Sequence, residues 1–99
     1  MLKMLHDHIE QIKEELEGAK DYGEKYLEAK AKGDAARANR FKEMANDELR
    51  HATAVHEMTA QDMEQLKKVF PIPVEDADQW EHAHKIFAEH MAWIKQMLA

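Results

Sequence analysis

The chain has 99 residues, a formal net charge of −6 and 34% charged residues. It contains no Cys, no Ser and only three Gly. This composition excludes disulfides, thiolate-bound metals, serine hydrolases and Gly-rich phosphate loops. The negative charge disfavours nucleic acid and anionic membranes as partners. The 20 Asp and Glu and the seven His remain as chemically useful groups, and both kinds are metal ligands.

A chain of this length is a single domain, residues 1–99, with a modest core, so association into oligomers is expected. No apolar run approaches the roughly 18–20 residues of a membrane span, and the first residues, MLKMLHDH, are too polar for a signal peptide. The sequence therefore predicts a cytoplasmic protein.

Glycine and proline divide the chain into three helical segments. Gly33 suits the left-handed position after a helix, and Asp34 can cap the next one. Pro71-Ile72-Pro73 forms the second break, because proline lacks the backbone donor that a helix needs. Between the breaks stand 15 Ala, 13 Glu and many Lys, Leu and Met, all strong helix formers. We predict helices over about residues 3–32, 35–69 and 76–98, with Asp76 or Asp78 capping the third.

Apolar residues recur at helical spacing on each segment. The first stripe comprises Leu5, Ile9, Ile12, Leu16, Ala19, Gly23, Tyr26 and Leu27. The second comprises Phe41, Met44, Ala45, Ala52, Val55, Thr59, Leu66 and Val69, and the third Trp80, Phe87, Met91, Ile94 and Leu98. The pattern predicts an all-α fold in which helices 1 and 2 form a long antiparallel hairpin and a shorter helix 3 folds back on it.

Several polar residues interrupt these stripes: Glu15 and His8 on helix 1, Glu48, His51 and Asp62 on helix 2, and His90 and His84 on helix 3. A carboxylate on a core stripe needs a cation, a proton or a hydrogen-bonding network. Since the hairpin turns near residue 33, residue 51 lies level with about residue 15. Glu15, Glu48 and His51 are therefore candidate metal ligands that project into one groove.

Glu48 and His51 also form an E-x-x-H motif, whose two side chains share one face of a helix and can converge on one ion. Glu81 and His84 repeat the motif on helix 3, but a turn near residue 72 puts His84 level with about residue 61, far from His51. His90 comes nearer, level with about residue 55. His90 and His84 are further candidate metal ligands on helix 3.

Each candidate has a simpler interpretation. Glu48 and His51 could form a hydrogen-bonded pair in a solvated groove without metal. Glu15 could lie at the edge of the stripe and reach solvent, and His90 could be a histidine at the rim of the core. The other histidines are expected at the surface: His6, His8, His56 and His82.

Two segments resemble a known family. The run Glu15-Leu16-Glu17-Gly18-Ala19-Lys20-Asp21-Tyr22 is similar to the first helix of ferritin-like proteins, in which a metal-bridging Glu precedes a small residue by three positions and a Tyr by seven. The run from Ala45 to Ala52, with Glu48 and His51, resembles the second-helix E-x-x-H of rubrerythrins and bacterioferritins. The resemblance covers about residues 10–60.

The resemblance implies a di-iron carboxylate centre, with manganese or zinc as possible substitutes, and iron oxidation by oxygen or peroxide. Tyr22 would then be a redox-active or hydrogen-bonding neighbour of the metals. A full ferritin-like subunit supplies four helices, whereas this chain supplies one hairpin and a third helix. A homodimer would restore the four-helix bundle, with two ions at its interface, as in the encapsulated ferritins that this half-length pattern resembles.

Two other functions fit the same residues. One is a helical dimer without metal, an adaptor whose exposed stripe binds another helix. The other is an enzyme-like fold that has lost its metal.

Overall fold

The computed structural model of the chain describes residues 2–99 and contains three helices: α1 (Lys3–Ala31), α2 (Ala35–Lys67) and α3 (Val74–Leu98). Their ends lie within two residues of the predicted positions. The described residues form no strand, so the prediction of an all-α fold is confirmed. None of these helices is long and apolar enough to cross a membrane.

The turn between α1 and α2 is as tight as the sequence predicts. Gly33 has a φ of 75°, in the left-handed region that favours glycine. The backbone N–H of Asp34 donates to the carbonyl of Ala29 at 2.9 Å, which closes the end of α1. The Asp34 side chain accepts from the backbone N–H of Arg37 at 3.1 Å and so caps α2.

This turn makes α1 and α2 antiparallel and sets their register. His8 Nδ1 lies 3.0 Å from Thr59 Oγ1, and His51 Nδ1 lies 3.4 Å from Glu15 Oε2. Each pair of residue numbers adds to about 66. The main core lies along this interface, with contributions from α3; its buried residues are Ile12, Leu16, Ala19, Tyr26, Ala29, Ala38, Ala45, Leu49, Ala52, Val55, Ile94 and Leu98.

Helix α3 runs parallel to α1. At one end the backbone N–H of Leu2 donates to Asp76 Oδ1 at 2.8 Å, and at the other Leu98 lies beside Gly23. Its contacts with α1 are more extensive than its contacts with α2. The third helix is therefore an addition to one side of the hairpin.

The structure differs from the predicted stripes in a few places. Leu27, Met44 and Val69 are exposed, whereas Leu49 and Met63 are buried. An α-helix has about 3.6 residues per turn, so a stripe of residues at intervals of three and four gradually rotates round a long helix. The residues that contact the neighbouring helix therefore change along its length. Helix α3 begins after Pro73 with no side-chain cap, because Asp76 lies inside the first turn and accepts from Leu2 instead.

Candidate metal centre

Three ligand-type side chains converge between α1 and α2. Glu15, Glu48 and His51 each offer a ligand atom, and these atoms all lie within 4.8 Å of one another. The side chain of Glu15 is 20% exposed and that of His51 is 61% exposed, while Glu48 is half-buried. The group thus has an inner carboxylate pair and an imidazole at the solvent side.

A glycine makes room for one of the carboxylates. A Cβ atom built on Gly18 would lie 3.0 Å from Glu48 Oε2, which is tighter than an ordinary van der Waals contact. Gly18 lies on α1 one turn after Glu15, so the carboxylate of Glu48 rests against the backbone of the opposite helix. A side chain at this position would displace that carboxylate.

The electrostatics of the group follow from its two acids. The pKa of Glu48 is raised, and the largest cause is a hydrogen bond with the carboxyl group of Glu15. Partial burial and the negative charge of Glu15 raise it further, whereas the charge of His51 lowers it. Two carboxylates so close together favour a shared proton or a bound cation. A metal ion would satisfy both acids and the imidazole at once.

The group lies on the face of the hairpin turned away from α3. The α1 residues that line the clefts against α3 lie between about 60° and 160° round the helix from Glu15 at 100° per residue; they are Ile9, Ile12, Lys13, Leu16, Glu17 and Lys20. On α2 the corresponding residues lie between about 100° and 180° round the helix from Glu48; they are Asn46, Leu49, Arg50, Thr53, Ala54 and Glu57. The face that carries the candidate ligands is therefore not covered by α3.

This open face has the residue spacing of a helix-packing seam. On α2, Met44, Glu48, His51 and Met58 follow one another at intervals of four, three and seven residues, and the core residue Val55 takes the intervening position four residues after His51. Met44 and Met58 are 40% and 49% exposed. The candidate ligands stand between these two methionines.

The two candidate ligands on α3, His90 and His84, do not join the group. His90 is exposed and lies beside Leu16, Glu17 and Lys20 on the far side of α1. Its level along the bundle is close to that of Glu15, but it stands on the opposite face. Sequence spacing fixed the level approximately, whereas the face was decided by how α3 packs.

His84 pairs with a different residue. Its Nδ1 lies 2.8 Å from Nε2 of His56, on α2. His56, expected at the surface, is half-buried and stacks on Phe87 with the ring centroids 4.1 Å apart. Burial lowers the pKa of His56; the charge of His84 acts in the same direction, and Glu57 opposes it. Sequence spacing did not reveal this pair, because the level that it predicts for His84 is about five residues in error.

His8 also departs from its expected surface position. It is half-buried and hydrogen-bonded to Thr59, which is fully buried and donates to the carbonyl of Val55 at 2.7 Å. The position of His8 on the apolar stripe was the signal for this contact, since a polar residue there needs a partner.

Tyr22 lies on α1 two turns after Glu15 and one turn after Gly18, on the same face of the helix. Its ring stacks against Phe41 of α2 with the centroids 6.5 Å apart, and the Lys25 ammonium lies 5.7 Å from its centroid. The contacts of Tyr22 are thus with an aromatic ring and a cation at the turn side of the candidate centre.

Comparison with known proteins finds no match for this chain among protein-family models, curated proteins or solved structures.

The raised pKa of Glu48 gives a testable pH dependence. A carboxyl group whose pKa is higher in the folded state stabilises that state most below its unfolded value, ordinarily 4.5, and this contribution is lost as the pH rises through the folded value. In metal-free protein, a rise from about pH 4 to pH 7 should therefore lower the free energy of unfolding of the parent more than that of the Glu48→Gln variant, which has no carboxyl group to ionise at this position. Urea unfolding measures this, with Glu43→Gln, an exposed position on α2, as the control. Parallel stability curves for parent and Glu48→Gln would contradict the expectation.

Proposed function

We propose that this chain is a ferritin-like metal protein in which Glu15, Glu48 and His51 bind a transition-metal ion, with iron as the preferred metal. A second copy of the chain completes a centre of two ions at the interface of a homodimer. The observation that carries the proposal is the convergence of the three ligand atoms within 4.8 Å, from two helices whose ligand residues stand 33 or more positions apart along the chain.

The donor set supports a metal of this kind. Two carboxylates and one imidazole combine hard oxygen with borderline nitrogen ligands, which suits iron and manganese and also accepts zinc. In a four-helix bundle, a Glu from one helix and an E-x-x-H pair from the next are the ligand types used for di-iron and di-manganese centres. The net charge of −6 favours cations over anionic partners.

One chain supplies too few ligands for a closed centre. Three protein ligands leave coordination positions open on an ion that takes four to six, and a di-iron centre of this type draws on four helices. The open face offers the means to add the missing half, because its seam spacing and its exposed Met44 and Met58 suit packing against an identical face. Two-fold pairing then brings two copies of Glu15, Glu48 and His51 together.

The reaction proposed for this centre is the oxidation of Fe(II), with dioxygen or peroxide as the electron acceptor. Iron enters as substrate. The carboxylates of Glu15 and Glu48 lower the energy of Fe(III) relative to Fe(II), because two negative charges stabilise the higher cation charge more strongly. His51, exposed at the rim, is placed to receive an ion from solvent.

The exposed methionines equally favour a second function, that of an adaptor without metal. A seam with Met44 and Met58 can bind a helix of another protein, since methionine side chains adapt to different partners. In that case the acids would carry a shared proton, and metal would not be bound. Metal content therefore separates the two functions.

Metal loading tests the ligands directly. We expect aerobically Fe(II)-loaded protein to hold one ion per chain, and Glu48→Ala and His51→Ala to weaken binding at least about tenfold, because even residues that only support ligands cost about 10–100-fold. Elemental analysis after gel filtration measures the content. Glu43→Ala, exposed on α2, is the control for lost negative charge. Metal well below one ion per chain, unchanged by the ligand variants, would favour the adaptor.

The glycine beside Glu48 provides a test that separates metal binding from stability. Gly18→Ala places a methyl group 3.0 Å from Glu48 Oε2 and must move that carboxylate. We expect a metal affinity up to about tenfold weaker, while the metal-free protein is as stable as the parent or gains about 0.5–1 kcal/mol from the added helix propensity. Asp21→Ala, at an exposed position one turn further along α1, is the control. A destabilised Gly18→Ala protein with parental metal affinity would show that the carboxylate does not bind metal where it stands.

The dimer face has a matched control on the same hairpin. Met58→Glu places a charge on the proposed seam, whereas Leu27→Glu does so at a similarly exposed residue (44% exposed) about 120° round α1 from Glu15. We expect sedimentation to give a dimer for the parent and for Leu27→Glu, and a monomer with reduced metal content for Met58→Glu. A parent that is monomeric while holding iron would contradict the shared centre, and a Met58→Glu dimer would place the interface elsewhere.

A further inference from the structure

The contact between α2 and α3 is sparse, and one pair of imidazoles bridges it. His56 Nε2 on α2 and His84 Nδ1 on α3 lie 2.8 Å apart. His56 is about 80° round α2 from Glu48 and about 140° from His51, and it contacts Trp80 and Phe87 of α3; the histidine pair therefore lies on the side of α2 that faces α3. The group is separate from the candidate metal centre and has no part in the proposed function.

The hydrogen bond itself identifies at least one neutral ring. An imidazole nitrogen can accept only through its lone pair, so of the two facing nitrogens one donates and the other accepts. A neutral imidazole nitrogen is also the form that binds a metal ion. The pair therefore holds one nitrogen lone pair, which accepts the hydrogen bond, and a second nitrogen that gains a lone pair when its proton leaves; a bound ion takes the place of that proton.

The spacing of the nitrogens fits two neighbouring ligands of one ion. With metal–nitrogen bonds of about 2.0–2.1 Å, two ligands at 90° stand about 2.9 Å apart, and two at a tetrahedral angle stand about 3.3 Å apart. The observed 2.8 Å is close to the first value. An ion that replaces the hydrogen bond therefore needs only a small change in this spacing, together with a turn of one ring, and imidazole pairs bind Ni(II), Cu(II) and Zn(II) alike.

The surroundings fix one ring and leave the other adjustable. His56 stacks on Phe87 with an angle of 9° between the planes, and the Trp80 ring lies 5.1 Å from it. His84 is exposed, with the Trp80 ring centroid 6.2 Å from its own. It can turn about its Cβ–Cγ bond, away from the hydrogen bond, until its lone pair and that of His56 converge on one ion. Solvent on the exposed side supplies the remaining ligands.

We propose that His56 and His84 form a second metal site, which takes one divalent transition-metal ion, with Ni(II) as its probe, and so clamps α3 to α2. An ion bound across two helices stabilises the folded chain, because the two ligands are adjacent only when α3 is docked.

Nickel titration of protein that lacks the first centre tests this site by itself. The parent for this experiment is the Glu15→Gln, Glu48→Gln, His51→Gln protein, so a failure of the second site is distinguishable from a failure of the proposed function. We expect Ni(II) to raise its melting temperature, and His84→Gln and His56→Gln each to weaken Ni(II) binding at least about tenfold and to remove that rise. Calorimetric titration and thermal unfolding, each with and without Ni(II), provide the two measurements.

His82→Gln is the matched control, since His82 is an exposed histidine two residues from His84 on the same helix. It leaves both effects unchanged if the clamp exists. If His82→Gln and His84→Gln weaken binding while His56→Gln does not, the ion is held by α3 alone and the clamp is overturned. Equal Ni(II) affinity in all four proteins overturns it as well. Because His84 is exposed, its variant tests the site even where His56→Gln alters the packing on Phe87.

Discussion

The register of the α1–α2 hairpin is the constraint on which the other features depend. The left-handed turn at Gly33 and the cap at Asp34 leave α1 and α2 antiparallel, with residue numbers of facing pairs adding to about 66. A shift of one residue in either helix would rotate its side chains by about 100°. Glu15 would then no longer face Glu48 and His51, and the buried stripes would lose their match.

The register also creates electrostatic repulsion between two carboxylates. It places two carboxylates together in a half-buried position and raises the pKa of one of them. Burial of the Leu16, Ala19, Leu49 and Ala52 side chains nearby holds the helices at this distance, so the acids cannot move apart into water without disturbing the core. A proton or a cation is the means of relieving the repulsion, and Gly18 leaves space for the carboxylate that would hold it.

The position of α3 divides the molecule into two chemically different sides. On one side α3 covers the hairpin with Ile94 and Leu98 in the core and brings His84 to His56. On the other side Glu15, Glu48 and His51 stand on a seam with exposed Met44 and Met58. A third helix that covered both sides of the hairpin would leave no face for a second copy, and the proposed shared centre requires such a face.

The sequence by itself determined the all-α fold, the ends of the helices to within two residues and the turn at Gly33 and Asp34, because glycine, aspartate and proline act locally on the backbone. It also brought Glu15, Glu48 and His51 together, since a tight turn and a rise of about 1.5 Å per residue fix the levels along a hairpin. The side of the hairpin on which α3 docks was decided only by the tertiary structure. The loop around Pro71–Pro73 constrains the level of α3 loosely and leaves its rotation about the hairpin open, so the separation of His90 from Glu15 and the pairing of His84 with His56 depend on how side chains of three helices pack together.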